Sequence, residues 1–212
     1  MLRKIYFLIL TILPNVLFAF DCSQFKYDAD IDIKLKVNDA VIQQSDEKLV
    51  GKLGYTQPQI SYNIFSHTVM IPVEGGNCIS LRGMDIEINE DYDIIIDKIL
   101  KEKSCAYNIV YEHEQDHVNV YKNVIKDNID SIKESISNEL KNFEPIFIEN
   151  NSEMPDYSDR VVNNNFVRQT ISNIMNKFET ENKKIDERGD VYNIWKCEDF
   201  YQDMKNSDLV ID

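Results

Sequence analysis

Ser104-Cys-Ala-Tyr-Asn-Ile-Val-Tyr-Glu-His113-Glu-Gln-Asp-His117-Val-Asn-Val-Tyr121 opens a run that reaches Phe143 without a glycine or a proline. Apolar or semi-polar residues fall at Val110, His113, His117, Tyr121, Val124, Ile125, Ile129, Ile132, Ile136, Leu140 and Phe143. Steps of three and four place them on one stripe of one helix. Ser104 is suited to cap its start, and Glu144-Pro145 marks its stop. Forty residues at ~1.5 Å each would span ~60 Å, so a kink or break is expected.

Outward from this run, the chain divides. Towards the N-terminus, Ile31, Ile33, Leu35 and Val37 alternate with Asp32, Lys34 and Lys36, a half-buried strand. Residues 60–73 are rich in β-branched and aromatic side chains, Gly75-Gly76-Asn77 is a turn signal, and 79–88 alternate again. Ile94-Ile95-Ile96 reads as a short fourth strand or a helix start, and 38–57 stay unassigned apart from one possible short helix. Towards the C-terminus, a connection with Pro145 and Pro155 leads to a second helix from about 156–158 to Asp186, with Val167, Ile171, Ile174, Phe178, Glu181 and Ile185 in its stripe. Gly189 ends it. The expected fold is α+β. A small, mostly antiparallel sheet in the N-terminal half packs on the long motif helix and an antiparallel helical hairpin.

The chain has 212 residues, enough for one domain with a real core. Arg3 and Lys4 precede an apolar run, Ile5 to Phe18, with Ala19 at a possible cleavage point; this is the layout of a signal peptide over 1–19. Fourteen residues at ~1.5 Å give ~21 Å against a bilayer core of ~30 Å, too short for a spanning helix. The expected single domain is then 20–212: a strand-rich part over 20–103, the hairpin over 104–187 and a tail over 188–212. The formal charge of −14 becomes −16 once Arg3 and Lys4 are removed, with no basic patch. That excludes nucleic acid and anionic lipid as partners and predicts no membrane insertion after signal removal. The expected location is the periplasm or the outside of the cell. Cys22, Cys78, Cys105 and Cys197 make an even set for an exported chain, hence two disulfides. Three pairings exist; the nested one, Cys78–Cys105 with Cys22–Cys197, is preferred because it does not cross and ties the ends together. No C-x-x-C pair supports a cysteine metal site.

Two of the chain's three histidines are His113 and His117, the frame of H-E-x-x-H. Their spacing of four sets them ~40° apart on one helical face, so both rings reach one ion. Glu114 lies ~100° round, placed to contact a water on the ion and take its proton. Zinc lowers the pKa of such water to ~7. A catalytic site of this kind takes a third protein ligand. Pairing the two helices around their turn brings Glu181, Asp186 and Glu187 level with His117. Glu181 is an acid on an apolar stripe, and His67, on a strand, is the remaining histidine.

The segment Cys105 to Tyr121 resembles a group of exported bacterial proteins known as predicted secreted zinc-dependent proteases, a zincin-like domain of unknown function. The likeness spans roughly 70–200 and is carried by the cysteine before the motif, the valine and aromatic residues after it, and strands before a long helix. Ile185-Asp186, Tyr192 and Cys197 resemble that group's C-terminal end, which favours Asp186 as third ligand over Glu181 or His67. Related members carry a later His-Gly; here no histidine follows His117. The resemblance implies a zinc metallopeptidase with Glu114 as general base, acting on a peptide or protein substrate. The alternative is a non-catalytic envelope binding module whose metal site is structural or vestigial.

Overall fold

In a computed structural model, residues 20–162, 165–198 and 200 are described. The expected signal segment, 1–19, lies outside them. Eight elements follow in chain order: β1 (Asp30–Val37), β2 (Val41–Gln44), β3 (Gly54–Val73), β4 (Gly76–Ile96), α1 (Cys105–Leu140), β5 (Ile146–Ile148), α2 (Met154–Val162) and α3 (Asn165–Asp186). A 3-10 segment, Asp190–Lys196, carries the chain back to the start of α1. Among the described residues, no helix is long and apolar enough to cross a membrane.

The sheet is not the mostly antiparallel one expected. β3 and β4 do form a long antiparallel hairpin through Gly75, where φ is +81°. β1 and β2, however, run parallel to β4. β3 occupies one edge of β4 along its whole length, so β1, β2 and β5 share the other. Period-two alternation reports which face of a strand is buried, not which strand takes the centre. Here β4 folds back between β3 and the earlier β1–β2 edge, and that insertion makes the first and fourth strands parallel.

β4 is also longer than its pattern suggests. Its inward positions are Met84, Ile86, Ile88, Glu90, Tyr92, Ile94 and Ile96, all buried. Glu90 breaks the apolar alternation, so one 21-residue strand reads as two. β2 lies in the stretch left unassigned, and its four residues are exposed.

α1 runs 36 residues along the inner face, about as long at ~1.5 Å per residue as the strand beneath it. Ser104 caps it: the Oγ accepts the Tyr107 N–H at 3.1 Å. α3 lies antiparallel beside it. The contacts step in register from Ser135–Thr170 through Asn128–Lys177 and Tyr121–Phe178 to His117–Asn182. The second helical stretch is two helices, α2 and α3, and the connection contains β5, which pairs with the first residues of β4.

Both disulfides form, with a different pairing from the nested one: Cys22–Cys78 and Cys105–Cys197. The reason is the length of β4. Cys78 sits near its start and Cys105 follows its end, ~60 Å away along a strand rising ~3.3 Å per residue. The parallel pairing of Asp30 with Gly83 instead brings Cys22 back beside Cys78. Two disulfides assign the chain to an oxidising compartment.

Candidate metal centre

The buried residues of α1 are Ala106, Val110, Glu114, Val118, Ile125, Ile132, Ile136 and Leu140. The sheet-facing stripe therefore passes through Glu114, and the histidines flank it towards α3. His113 and His117 keep 10% and 12% of their side-chain surface exposed, whereas Asp186, at the last position of α3, keeps 64%. The antiparallel register of α1 and α3 brings Asp186 to the motif. His113 Nε2 and His117 Nε2 are 3.2 Å apart, and Asp186 Oδ1 lies 3.5 and 3.2 Å from them. A tetrahedral ion ~2.0–2.1 Å from each donor requires donor separations of ~3.3–3.4 Å, so the triangle fits one ion. His113, His117 and Asp186 thus form a group able to hold a metal ion, and among the described residues no fourth His, Cys, Asp or Glu joins it.

The other predicted candidates lie elsewhere. His67 pairs with Asp85 at 3.0 Å beside a bulge in the β3–β4 hairpin and lines a different cavity. Glu181 faces Lys184, one turn along its own helix.

Four polar residues that the motif does not announce complete the site. Asn182 Oδ1 is 2.8 Å from His117 Nδ1, which directs the Nε2 of that ring at the other donors. Asn182 precedes Asp186 by four residues and so shares its face, the signal that would have found it. Tyr121 follows His117 by the same spacing, and its ring meets that of Phe178 edge-on with centroids 4.9 Å apart. Thr56 Oγ1 lies 3.0 Å from Glu114 Oε2 and 2.9 Å from the Glu114 carbonyl oxygen, sharing one proton between them. Arg188 binds Asp116 of the motif at 2.9 Å and ties the end of α3 to α1. Thr56 had no signal, since it falls in the unassigned stretch.

Burial raises the pKa of Glu114; the Thr56 hydroxyl and the two histidines oppose that rise, and Asp186 adds to it. Burial likewise raises the Tyr121 phenol, with the neighbouring Asn182 side chain opposing the rise, so the phenol keeps its proton.

A cleft of about 610 Å³ opens onto these groups. Gly51 to Thr56 form one wall, α1 the floor, and Asn182 with Asp186 the other wall. The first wall is set by Asp97, a buried acid just past β4, whose carboxylate accepts the N–H of Leu49 at 2.6 Å and of Ile99 at 2.9 Å. Gly54 lets that wall approach the motif. A Cβ there would lie 2.6 Å from Val110 Cγ1, 3.2 Å from the Ile95 carbonyl oxygen and 3.3 Å from Glu114 Cγ.

No family model, curated protein or solved structure matches the chain at a significant level. The functional reading therefore rests on the geometry and the motif.

Proposed function

We propose that this protein is a zinc metallohydrolase of the periplasm or the cell exterior, cleaving peptide bonds of a protein substrate. One observation carries the proposal: three donors form a triangle of ion-binding dimensions beside a buried glutamate, at the floor of an open cleft. Two imidazoles and a carboxylate suit zinc, and three protein ligands leave a fourth position for chemistry.

His113, His117 and Asp186 would hold the ion. When bound, zinc supplies Lewis acidity, polarising a carbonyl and lowering the pKa of water towards ~7. Glu114 takes the proton of the attacking water and delivers it to the leaving amine. Thr56 holds the Glu114 carboxylate from the sheet side, so its other oxygen is left for that work. Tyr121, lining the same cleft with its proton in place, donates to the oxygen on which negative charge develops.

The test uses the full exported chain with its disulfides oxidised. Metal analysis should find about one zinc per chain. Glu114→Gln should keep that zinc and the fold while losing ~100-fold to ~10,000-fold in hydrolysis of an unfolded protein such as casein. Full activity in Glu114→Gln would refute the mechanism. Zinc binding with no hydrolysis by the parent protein would favour the non-catalytic envelope module instead.

A further inference from the structure

Among the described residues, the lining of the cleft over the metal centre contains one lysine, Lys52, and no arginine. Its Nζ lies 3.7 Å from the centroid of the Tyr55 ring, on the same wall of the cleft. Among the described residues no carboxylate pairs with it, although the chain carries a formal charge of −14. A ring face covers one side of an ammonium, and the N–H donors that point away from it are left for an oxygen. The acids of the cleft, Glu114 and Asp186, are both committed to the metal centre, so Lys52 is the charge left to select a substrate.

The loop that presents Lys52 is fixed at three points. The Ser45 N–H donates to the Ile96 carbonyl oxygen at 2.8 Å, the Leu49 N–H to the Asp97 carboxylate at 2.6 Å, and the Asp97 N–H to the Leu53 carbonyl oxygen at 2.8 Å. The ammonium therefore stands on a held backbone, at a defined place relative to the reacting groups. Four residues further on, Thr56 Oγ1 lies 3.0 Å from Glu114 Oε2. Four residues of chain span at most ~14 Å, a distance an extended substrate covers in about four residues at ~3.3 Å each.

We infer that Lys52 is a specificity-determining residue: it takes a carboxylate of the substrate within about four residues of the bond that is cut, so that the protein prefers acidic peptides. This rests on the metallohydrolase reading above. Two sources share that chemistry, an aspartate or glutamate side chain and a free C-terminus.

The experiment uses the full-length, disulfide-oxidised, zinc-loaded protein and quenched-fluorescence peptides of one frame. One set has both ends blocked and carries a single glutamate or a single glutamine at each position in turn. Another has no acidic side chain and ends in a free carboxylate or an amide. In the parent, kcat/KM for the preferred carboxylate should exceed that for its neutral twin by ~10-fold to ~100-fold, the range of a hydrogen bond to a charged group. The set in which this ratio appears identifies the source. Lys52→Met should bring the ratio to about one, Lys52→Glu should invert it, and Lys52→Arg should keep most of it. A carboxylate preference that survives in Lys52→Met, or none in the parent for either source, would overturn the inference. Hydrolysis of no peptide by the parent counts against the metallohydrolase reading instead. Calorimetric titration of the same peptide pairs into the metal-free parent and Lys52→Met then reads the ratio as affinity, with the same two outcomes.

Discussion

Between Ile125 and Leu140, α1 presses Ile125, Ile132, Ile136 and Leu140 into a cluster completed by Ile86 and Ile88 of β4 and by Val167, Ile171 and Phe178 of α3. Between Cys105 and Tyr121 the same helix turns Glu114 to the sheet and two histidines to α3, and its first residue is bonded to Cys197. A second apolar cluster, around Tyr92, Ile94, Val110 and Val118, supports this half. Each isoleucine buried in the first half contributes ~1.5–3 kcal/mol with no partner to satisfy. Glu114 is a desolvated acid that must be compensated by Thr56 and its neighbours. The far half is therefore self-sufficient. The motif half interrupts its own apolar cluster with polar groups that serve the chemistry, and a disulfide and polar ties add to its hold.

The largest expected effect tests that contrast covalently. Cys105–Cys197 closes a loop of 92 residues, and chain entropy assigns such a crosslink ~4–5 kcal/mol. Cys105→Ser with Cys197→Ser should lose about that stability in urea, and zinc affinity should fall with it, because the chain beyond Asp186 then loses its covalent tie to the start of α1. Removing Cys22–Cys78 should also cost stability, yet leave zinc affinity as it was. Equal zinc affinity in both double variants would break the distinction between the two halves.

Next comes the self-sufficient half. Ile136→Ala should cost ~2–5 kcal/mol, since Ile136 is fully buried. Zinc should still bind one to one in the folded variant. Loss of zinc without loss of stability would show that the halves are not separable.

The same contrast explains what the sequence revealed. In the far half, alternation and helical stripe were legible because buried positions are apolar. In the motif half, the sheet-facing stripe of Ala106, Val110 and Val118 is interrupted by Glu114, so the pattern reads through His113 and His117 instead. Asp186 was reachable by counting residues back from the hairpin turn, because α1 and α3 pair in steady antiparallel register. The centre of the sheet was hidden for the same reason as the site: Glu90, an acid at an inward position, cut β4 in two on paper. The nested disulfide pairing, preferred because it does not cross, fails on the same strand, since an unbroken β4 separates Cys78 from Cys105.

A smaller effect is expected where strand and motif touch. Gly54→Ala would place a methyl 2.6 Å from Val110 Cγ1, inside contact distance, in a wall of the cleft. Overpacking of this sort costs ~1–3 kcal/mol. The displaced wall should weaken hydrolysis more than zinc binding, because Gly54 faces Glu114 and not the ligands. Unchanged stability and activity would show that the wall yields freely.

The smallest effect is a slope, and it lies at Glu90, where the two apolar clusters meet. Glu90 is fully buried, accepts the Tyr92 hydroxyl on one oxygen, and has no hydrogen-bond partner for the other. Burial raises its pKa; the Tyr92 hydrogen bond and the charge of Lys122 only partly oppose this. A carboxyl whose pKa is higher folded than unfolded binds its proton more tightly in the native state. Its stabilising contribution is complete below the unfolded pKa and is lost as pH rises through the folded one. Glu90→Gln keeps an acceptor for Tyr92 but cannot ionise, so it escapes that loss. Urea unfolding of parent and variant from about pH 4 to about pH 8, across and above the ordinary glutamate value near ~4.3, should show the difference moving in the variant's favour as pH rises. Glu114 also titrates from a raised value, but it is present in both proteins and cancels in the difference. Repeating the series with zinc should leave the difference unchanged, because zinc acts on the motif half in both chains. A difference independent of pH would mean that Glu90 is charged beneath α1 at all these values, with Lys122 as its true counter-ion.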